Sequence, residues 1–158
     1  MGRTAHDHRR PGPDADRLEA LKAMFYAVNK VNAADGERIV SYQLFQIAKK
    51  LTSGELLLLR AVFDRYKAHD FSPNVGITEA LVSWASKMAN SLGHGLSALV
   101  LNDERALMQQ GLISGYVNSN ELSLDQQQIL QRDARLTDLG IKFCTAIQEY
   151  RSQANVEE

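Results

Sequence analysis

The first fifty residues carry apolar side chains at the spacing of two amphipathic helices. We expect one helix from about residue 16 and a second from about residue 37, on either side of the break at residues 33–36. Their apolar positions are Leu18, Leu21, Phe25 and Val28, then Ile39, Val40, Leu44, Ile47 and Leu51, widened by Tyr42 and Phe45. The spacing therefore predicts an N-terminal helical pair over residues 16–51.

A capping signal follows this pair. Thr52 is a hydroxyl residue with Glu55 three positions later, which is the spacing of a capping box. We expect a third helix over about residues 53–68. Its first turns are apolar nearly all round, and a helix of that kind is buried on every side. The pattern predicts that this helix forms the spine of the domain.

The C-terminal part shows two apolar segments separated by a polar insert. Gly111 is the expected left-handed end of a helix, and the apolar pair after it can begin a strand. Arg135 and Leu136 fit a return strand, and Thr137 can cap a final helix over about residues 138–151. Helix, strand, excursion, strand and helix is the order that this pattern predicts.

Residues 96–110 have a helical composition with an irregular face. Leu96, Val100 and Leu107 share a row, but Asp103 falls in that same row. Asn102 could cap a separate short helix, which would remove the conflict. The pattern leaves both one continuous helix and two shorter helices open.

Together these elements predict a mostly α fold, with a helical N-terminal pair followed by a winged-helix-like domain with a small β-hairpin. The expected divisions are a disordered basic arm at 1–15, the pair at 16–51, the winged-helix-like domain at 52–151 and a frayed tail at 152–158.

Two stretches carry a resemblance to known families. Residues 107–113 (LMQQGLI), followed by residues 135–140 (RLTDLG), resemble the closing half of winged-helix domains. Together with residues 51–59 (LTSGELLLL), they also resemble the Abi-alpha family of phage-exclusion-associated proteins. The matching residues cover under half of the chain. The resemblance implies a winged-helix fold and a link to phage defence or its regulation.

Charge, hydropathy and cysteine content restrict the classes of protein to which the chain can belong. The net charge of −1 combines +3 over residues 1–70 (twelve Lys/Arg against nine Asp/Glu) with −4 over residues 71–158 (six against ten). No apolar run approaches the roughly 20 residues that a membrane span requires, so we expect no membrane partner. The lone Cys144 excludes an internal disulfide and fits a reducing cytoplasm.

The sequence contains no catalytic signature, so we expect no enzyme, no cofactor and no metal site. A nucleophile elbow, a phosphate-binding glycine loop and a zinc-finger spacing are all missing from it. His6 and His8 flank Asp7 in the N-terminal arm, where incidental composition explains them better than a metal does. Cys144 fits a small core residue better than a reactive thiol.

The leading hypothesis is a non-enzymatic protein-interaction module. The wide apolar faces of residues 16–51 suggest a homodimer whose interface includes Leu21, Phe25, Tyr42 and Phe45. The alternative is a dimeric winged-helix DNA-binding regulator, although phosphate binding needs more cations than residues 96–110 provide. Its DNA-contacting candidates are Ser97, Asn102, Arg105, Arg132 and Arg135, with Arg9 and Arg10 in the N-terminal arm.

Overall fold

The computed structural model describes residues 12–68, 85–114 and 135–156. Every regular element in these ranges is a helix, which confirms the mostly α prediction. The helices are α1 (Pro13–Val28), α2 (Asp35–Lys50), α3 (Ser53–Ala68), α4 (Ser97–Gln109) and α5 (Asp138–Ala154), and residues 85–91 are also helical. Within the described ranges, no helix is both long enough and apolar enough to cross a bilayer.

The starts of α1 and α3 follow local chemistry. Pro13 occupies the first turn of α1, where its missing N–H costs nothing, and Gly12 is the N-cap. The capping box of α3 is confirmed. The Thr52 N–H donates to Glu55 Oε2 (3.0 Å), and the Glu55 N–H donates to Thr52 Oγ1 (3.3 Å).

The end of α4 is a Schellman motif. Gly111 has φ +73°, the Leu112 N–H donates to the Leu107 carbonyl (3.0 Å), and the Gly111 N–H donates to the Met108 carbonyl (3.0 Å). The predicted left-handed stop is therefore confirmed. The helix before it runs unbroken through Asn102, which resolves the question of one helix or two in favour of one.

The predicted winged-helix-like domain with a β-hairpin is wrong. Where two strands were expected, the described residues form one isolated antiparallel bridge between Ile113 and Leu136. Backbone torsions explain why the pairing stops there. Arg135 has φ +69°, which interrupts extended backbone immediately before Leu136, and α5 begins immediately after the N-cap Thr137. Of the described residues between the excursion and α5, Leu136 alone is left to pair.

The core is shared by all five helices. α1 packs against α2, α3 and α5, and α3 also packs against α4 and α5. The largest completely buried side chains come from both the N-terminal pair and the rest of the chain; they include Met24, Leu51, Leu58, Leu59, Val62, Met88, Val100, Leu107, Leu112 and Phe143. The N-terminal pair therefore contributes to the same core as α3, α4 and α5.

Candidate functional site

Large apolar side chains protrude from the outer face of α1 and α2. Phe25 is 60% exposed, Tyr42 56% and Leu18 53%. Leu21 and Phe45 lie beside them, partly buried against the core. We refer to these five residues as the α1–α2 patch. Exposed aromatic side chains supported by packed neighbours are typical of surfaces that bind another molecule.

The two helices present the patch as one continuous surface. They run antiparallel through the short connection at residues 29–34, and Arg17 Nη2 donates to the Lys49 carbonyl across them (3.3 Å). The rings of Phe25 and Phe45 have centroids 6.3 Å apart and planes inclined at 57°. That tilted pairing joins the apolar row of α1 to that of α2.

Cations border the patch. Lys22 lies one helical turn from both Leu18 and Phe25, and Arg38 lies one turn before Tyr42. The Lys49 Nζ is 5.7 Å from the centroid of the Phe45 ring. No ion pair between described residues uses any of these three cations, whose side chains are exposed. Their charge is therefore available to a partner.

Acidic residues lie only at the ends of the patch. Asp14 and Asp35 occupy the first turns of α1 and α2. Counting these two acids against Lys22, Arg38, Lys49 and Arg17 gives the face a net charge of +2, whereas the whole chain carries −1. The surface is apolar at its centre and cationic along its length.

The four residues predicted for an oligomer interface all fall within this surface. Leu21 and Phe25 lie on α1, and Tyr42 and Phe45 lie on α2. Phe25 and Tyr42 protrude most, so they are the candidate anchors. Periodicity also placed Leu18 on the same face as Leu21 and Phe25, although the predicted interface did not include it.

The residues predicted to contact DNA are not brought together on one surface in the same manner. Asn102 and Arg105 are exposed on α4, but Ser97 is half-buried with its Oγ 3.3 Å from that of Ser86. Leu101, on the same side of α4 as Arg105, is an apolar residue that is 45% exposed. Arg9, Arg10 and Arg132 lie outside the described residues.

Arg135 is part of the internal structure. Its Nη1 lies 2.6 Å from Glu104 Oε1, and its Nε and Nη2 donate to the Ser114 carbonyl at 3.0 and 2.8 Å. The side chain is only 12% exposed. This guanidinium therefore joins α4 to the segment before α5, in a position that is poorly suited to contacting phosphate.

Glu104 is the buried polar residue that sequence reasoning missed. It is 2% exposed and lies on the buried stripe of α4 with Val100 and Leu107. The spacing of these three residues, at i, i+4 and i+7, was the available signal. The row chosen from the sequence instead included Leu96, which is exposed, and Asp103.

Asp103 lies against the start of α3. A Cβ built on Gly54 would be 3.0 Å from Asp103 Oδ2, which shows how closely the carboxylate approaches that turn. Burial raises the pKa of Asp103 above its ordinary value, and the nearby charge of Glu55 adds to the increase, while His94 opposes it. The Asp103 carboxylate therefore lies in the contact between α4 and the start of α3.

A cleft of about 220 Å³ lies between α1, α3 and α5. Phe143 and Cys144 contribute to its apolar floor, and burial raises the pKa of the Cys144 thiol to about 12. At its rim, Arg151 pairs with Glu19 (Nη2 to Oε2, 2.8 Å). The thiol is neutral at physiological pH, as the prediction of a small core cysteine requires.

Comparison of the chain with models of protein families, with curated proteins and with solved structures finds no match. The resemblance to winged-helix and Abi-alpha proteins therefore stays a prediction, and the fold that it implied is not the one observed. In the part of the chain that the structure describes, no group of three or more His, Cys, Asp or Glu side chains is placed to hold a metal ion. The α1–α2 patch is the surface best suited to a function.

Proposed function

We propose that the chain is a non-enzymatic protein-interaction module that binds another protein through the α1–α2 patch. The observation that carries the proposal is the exposure of Phe25, Tyr42 and Leu18 on one face of two adjoining helices. Aromatic side chains on a supported surface bury a large apolar area when a partner covers them, and such residues dominate binding free energy.

A different protein fits this surface better than a second copy does. A two-fold contact through the patch would place the same surface on both sides. Lys22 and Arg38 of one copy would then face a surface of net positive charge, and like charges facing each other weaken association. The homodimer remains a testable alternative, because its mass would be twice that of the 17.6 kDa chain.

DNA binding is the second candidate function. Exposed Asn102 and Arg105 on α4 favour it, since Asn and Arg can pair with adenine and guanine edges. The charge on α4 weighs against it. Arg105 is the only Lys or Arg in the helix, beside Asp103 and Glu104, and phosphate neutralisation supplies much of the affinity for DNA. The suggested role in phage defence depends on the Abi-alpha resemblance alone.

Affinity purification from the native host tests the proposal. Tagged wild-type protein is compared with a Phe25→Ser/Tyr42→Ser variant and with a control, Leu99→Ser/Leu101→Ser, which removes exposed apolar side chains from α4 instead. All three are purified with and without nuclease. We expect a partner that survives nuclease treatment, is lost from the patch variant and is retained by the control.

Two results would contradict the proposal. One is recovery of the same proteins by the wild type and the patch variant. The other is recovery that depends on nucleic acid and is lost with Arg105→Ala, which would support the DNA-binding alternative. Sedimentation of the wild type at several concentrations separates self-association from binding to a different protein.

A further inference from the structure

We infer that the partner of the α1–α2 patch presents an amphipathic helix with acidic flanks. This inference depends on the proposed function, because it names the chemistry of the molecule that the patch binds. It starts from the shape of the surface. The two antiparallel helices lie side by side, and the tilted rings of Phe25 and Phe45, with centroids 6.3 Å apart, connect their apolar rows. A third helix lying across both helices can pack its apolar residues against the two rows.

The length of the patch suits a short helix. Leu18 and Phe25 are separated by seven positions, which corresponds to about 10 Å along α1 at 1.5 Å per residue. Leu21 lies between them, so the apolar row covers two turns. A partner helix of about three turns would cover these side chains and the facing row of Tyr42 and Phe45.

The cations that border the patch indicate which side chains lie on either side of the partner helix's apolar stripe. Lys22 lies on α1, and Arg38 and Lys49 lie on α2. Each is exposed and takes part in no ion pair with a described residue. Glu or Asp side chains on both sides of a partner's apolar stripe would meet these cations, whereas Lys or Arg there would be repelled.

An anionic membrane surface is the competing macromolecular partner, because it also combines apolar and negative groups. The packing of the patch favours a helix. Within the patch, Leu21 and Phe45 are already partly buried in the core, so Leu18, Phe25 and Tyr42 protrude, and the exposed Ile39 lies one turn before Tyr42. Membrane-surface helices instead bury a whole apolar face in the lipid. A few protruding side chains among exposed cations suit a protein helix better than a lipid surface.

A pair of designed peptides tests the inference on the full chain. Each is an 18-residue helix with Leu and Phe on one face; the first has Glu on both flanks, and the second has Lys at the same positions. Fluorescence anisotropy measures the affinity of each labelled peptide at low and high salt. We expect the acidic peptide to bind about tenfold more tightly or better, and its affinity to fall with salt, since three exposed charge contacts together have about that effect.

Charge reversal on the protein supplies the matched comparison. The patch variant is Lys22→Glu/Arg38→Glu/Lys49→Glu, and the control, Lys87→Glu/Arg105→Glu/Lys142→Glu, makes the same change in net charge with exposed cations that lie outside the patch. We expect the patch variant to lose the preference for the acidic peptide and the control to keep it. Circular dichroism melting curves verify that both variants fold.

Four results would overturn the inference: equal binding of the two peptides, no binding of either, an acidic-peptide affinity that the patch reversal leaves unchanged, or tighter binding to phosphatidylglycerol vesicles than to the acidic peptide. Its failure can be distinguished from failure of the proposed function. If no acidic preference is found but the Phe25→Ser/Tyr42→Ser variant still loses its captured partner, the binding surface stands and only the acidic helix is refuted.

Discussion

Glu104 Oε1 lies 2.6 Å from Nη1 of Arg135, although the two residues lie on opposite sides of the excursion between α4 and α5. The Glu104 side chain is 2% exposed and that of Arg135 12%, so the contact is an ion pair shielded from water. Because Arg135 also donates to the Ser114 carbonyl, this pair holds together the two ends of residues 115–134.

We predict that Glu104→Gln lowers the free energy of unfolding by about 3 kcal/mol, because removing one member of a buried ion pair leaves the other charge uncompensated. Urea denaturation measures the loss. Glu149→Gln, an exposed substitution on α5, serves as the control and should change stability by less than about 0.5 kcal/mol. Equal stabilities for the two variants would show that the Glu104–Arg135 pair has no such role.

The close approach of α5 to the end of α4 gives a second prediction. A Cβ on Gly140 would lie 2.0 Å from the Leu112 carbonyl oxygen, so Gly140→Ala must displace backbone and should cost about 3 kcal/mol. Gly36→Ala is the matched control, since nothing lies within 4 Å of that position in α2. It should stabilise the protein by about 0.5 kcal/mol. Thermal melts that rank the two variants in the opposite order would refute this packing.

The Thr137 hydroxyl supports a third prediction. Its Oγ1 accepts from the Gly140 N–H (3.0 Å) and donates to the Gly111 carbonyl (2.6 Å), so it caps α5 and ties it to the end of α4. Thr137→Ala should cost about 2 kcal/mol, and Thr52→Ala, which loses the single hydrogen bond that its hydroxyl accepts in the capping box, about 1 kcal/mol. Thr137→Ser should keep most of the stability. A Ser variant as unstable as the Ala variant would mean that the methyl group matters instead.

The pKa of Asp103 predicts a pH dependence. Because the folded state raises this pKa, folding favours the protonated carboxyl, and the ionised form weakens stability above the folded pKa. Asp103→Asn should therefore be more stable than the wild type at pH 7, by less than about 1 kcal/mol because the group is largely solvated. The difference should shrink as the pH falls below the ordinary value of 3.8. Denaturant midpoints at pH 7 and pH 3 that show a constant difference would contradict this.

Local sequence signals predicted much of the helical framework. The capping box at Thr52 gave the start of α3, Gly111 gave the end of α4, and Thr137 gave the start of α5. Each signal works because one residue type satisfies backbone groups that a helix end leaves unpaired. Such information lies within a few positions of the chain.

The absence of the predicted β-hairpin from the described residues and the presence of the buried ion pair both depend on residues that are distant in sequence. An apolar pair after Gly111 and another segment at Arg135 fit two strands by composition, but Arg135 has a left-handed backbone and contacts Ser114 and Glu104, which local composition does not indicate. The i, i+4, i+7 spacing of Val100, Glu104 and Leu107 indicates the buried stripe of α4, but the cation that pairs with Glu104 lies across the excursion, where local periodicity does not reach.

The α1–α2 patch was only partly predictable, because it too depends on residues that are distant in sequence. Helical spacing put Phe25 and Tyr42 on wide apolar faces, but burial of the neighbouring Met24 and Leu44 depends on how α1 packs against α2 and α5. The cationic border became visible only once Lys22 and Arg38 were placed beside those rings.

Backbone amide chemical shifts, measured by two-dimensional NMR on the full chain during titration with the acidic peptide, test the central claim most directly. The account predicts that the largest changes fall in residues 17–26 and 38–49, and that they disappear in the Phe25→Ser/Tyr42→Ser variant. Changes centred on α4, or changes of equal size in that variant, would contradict it.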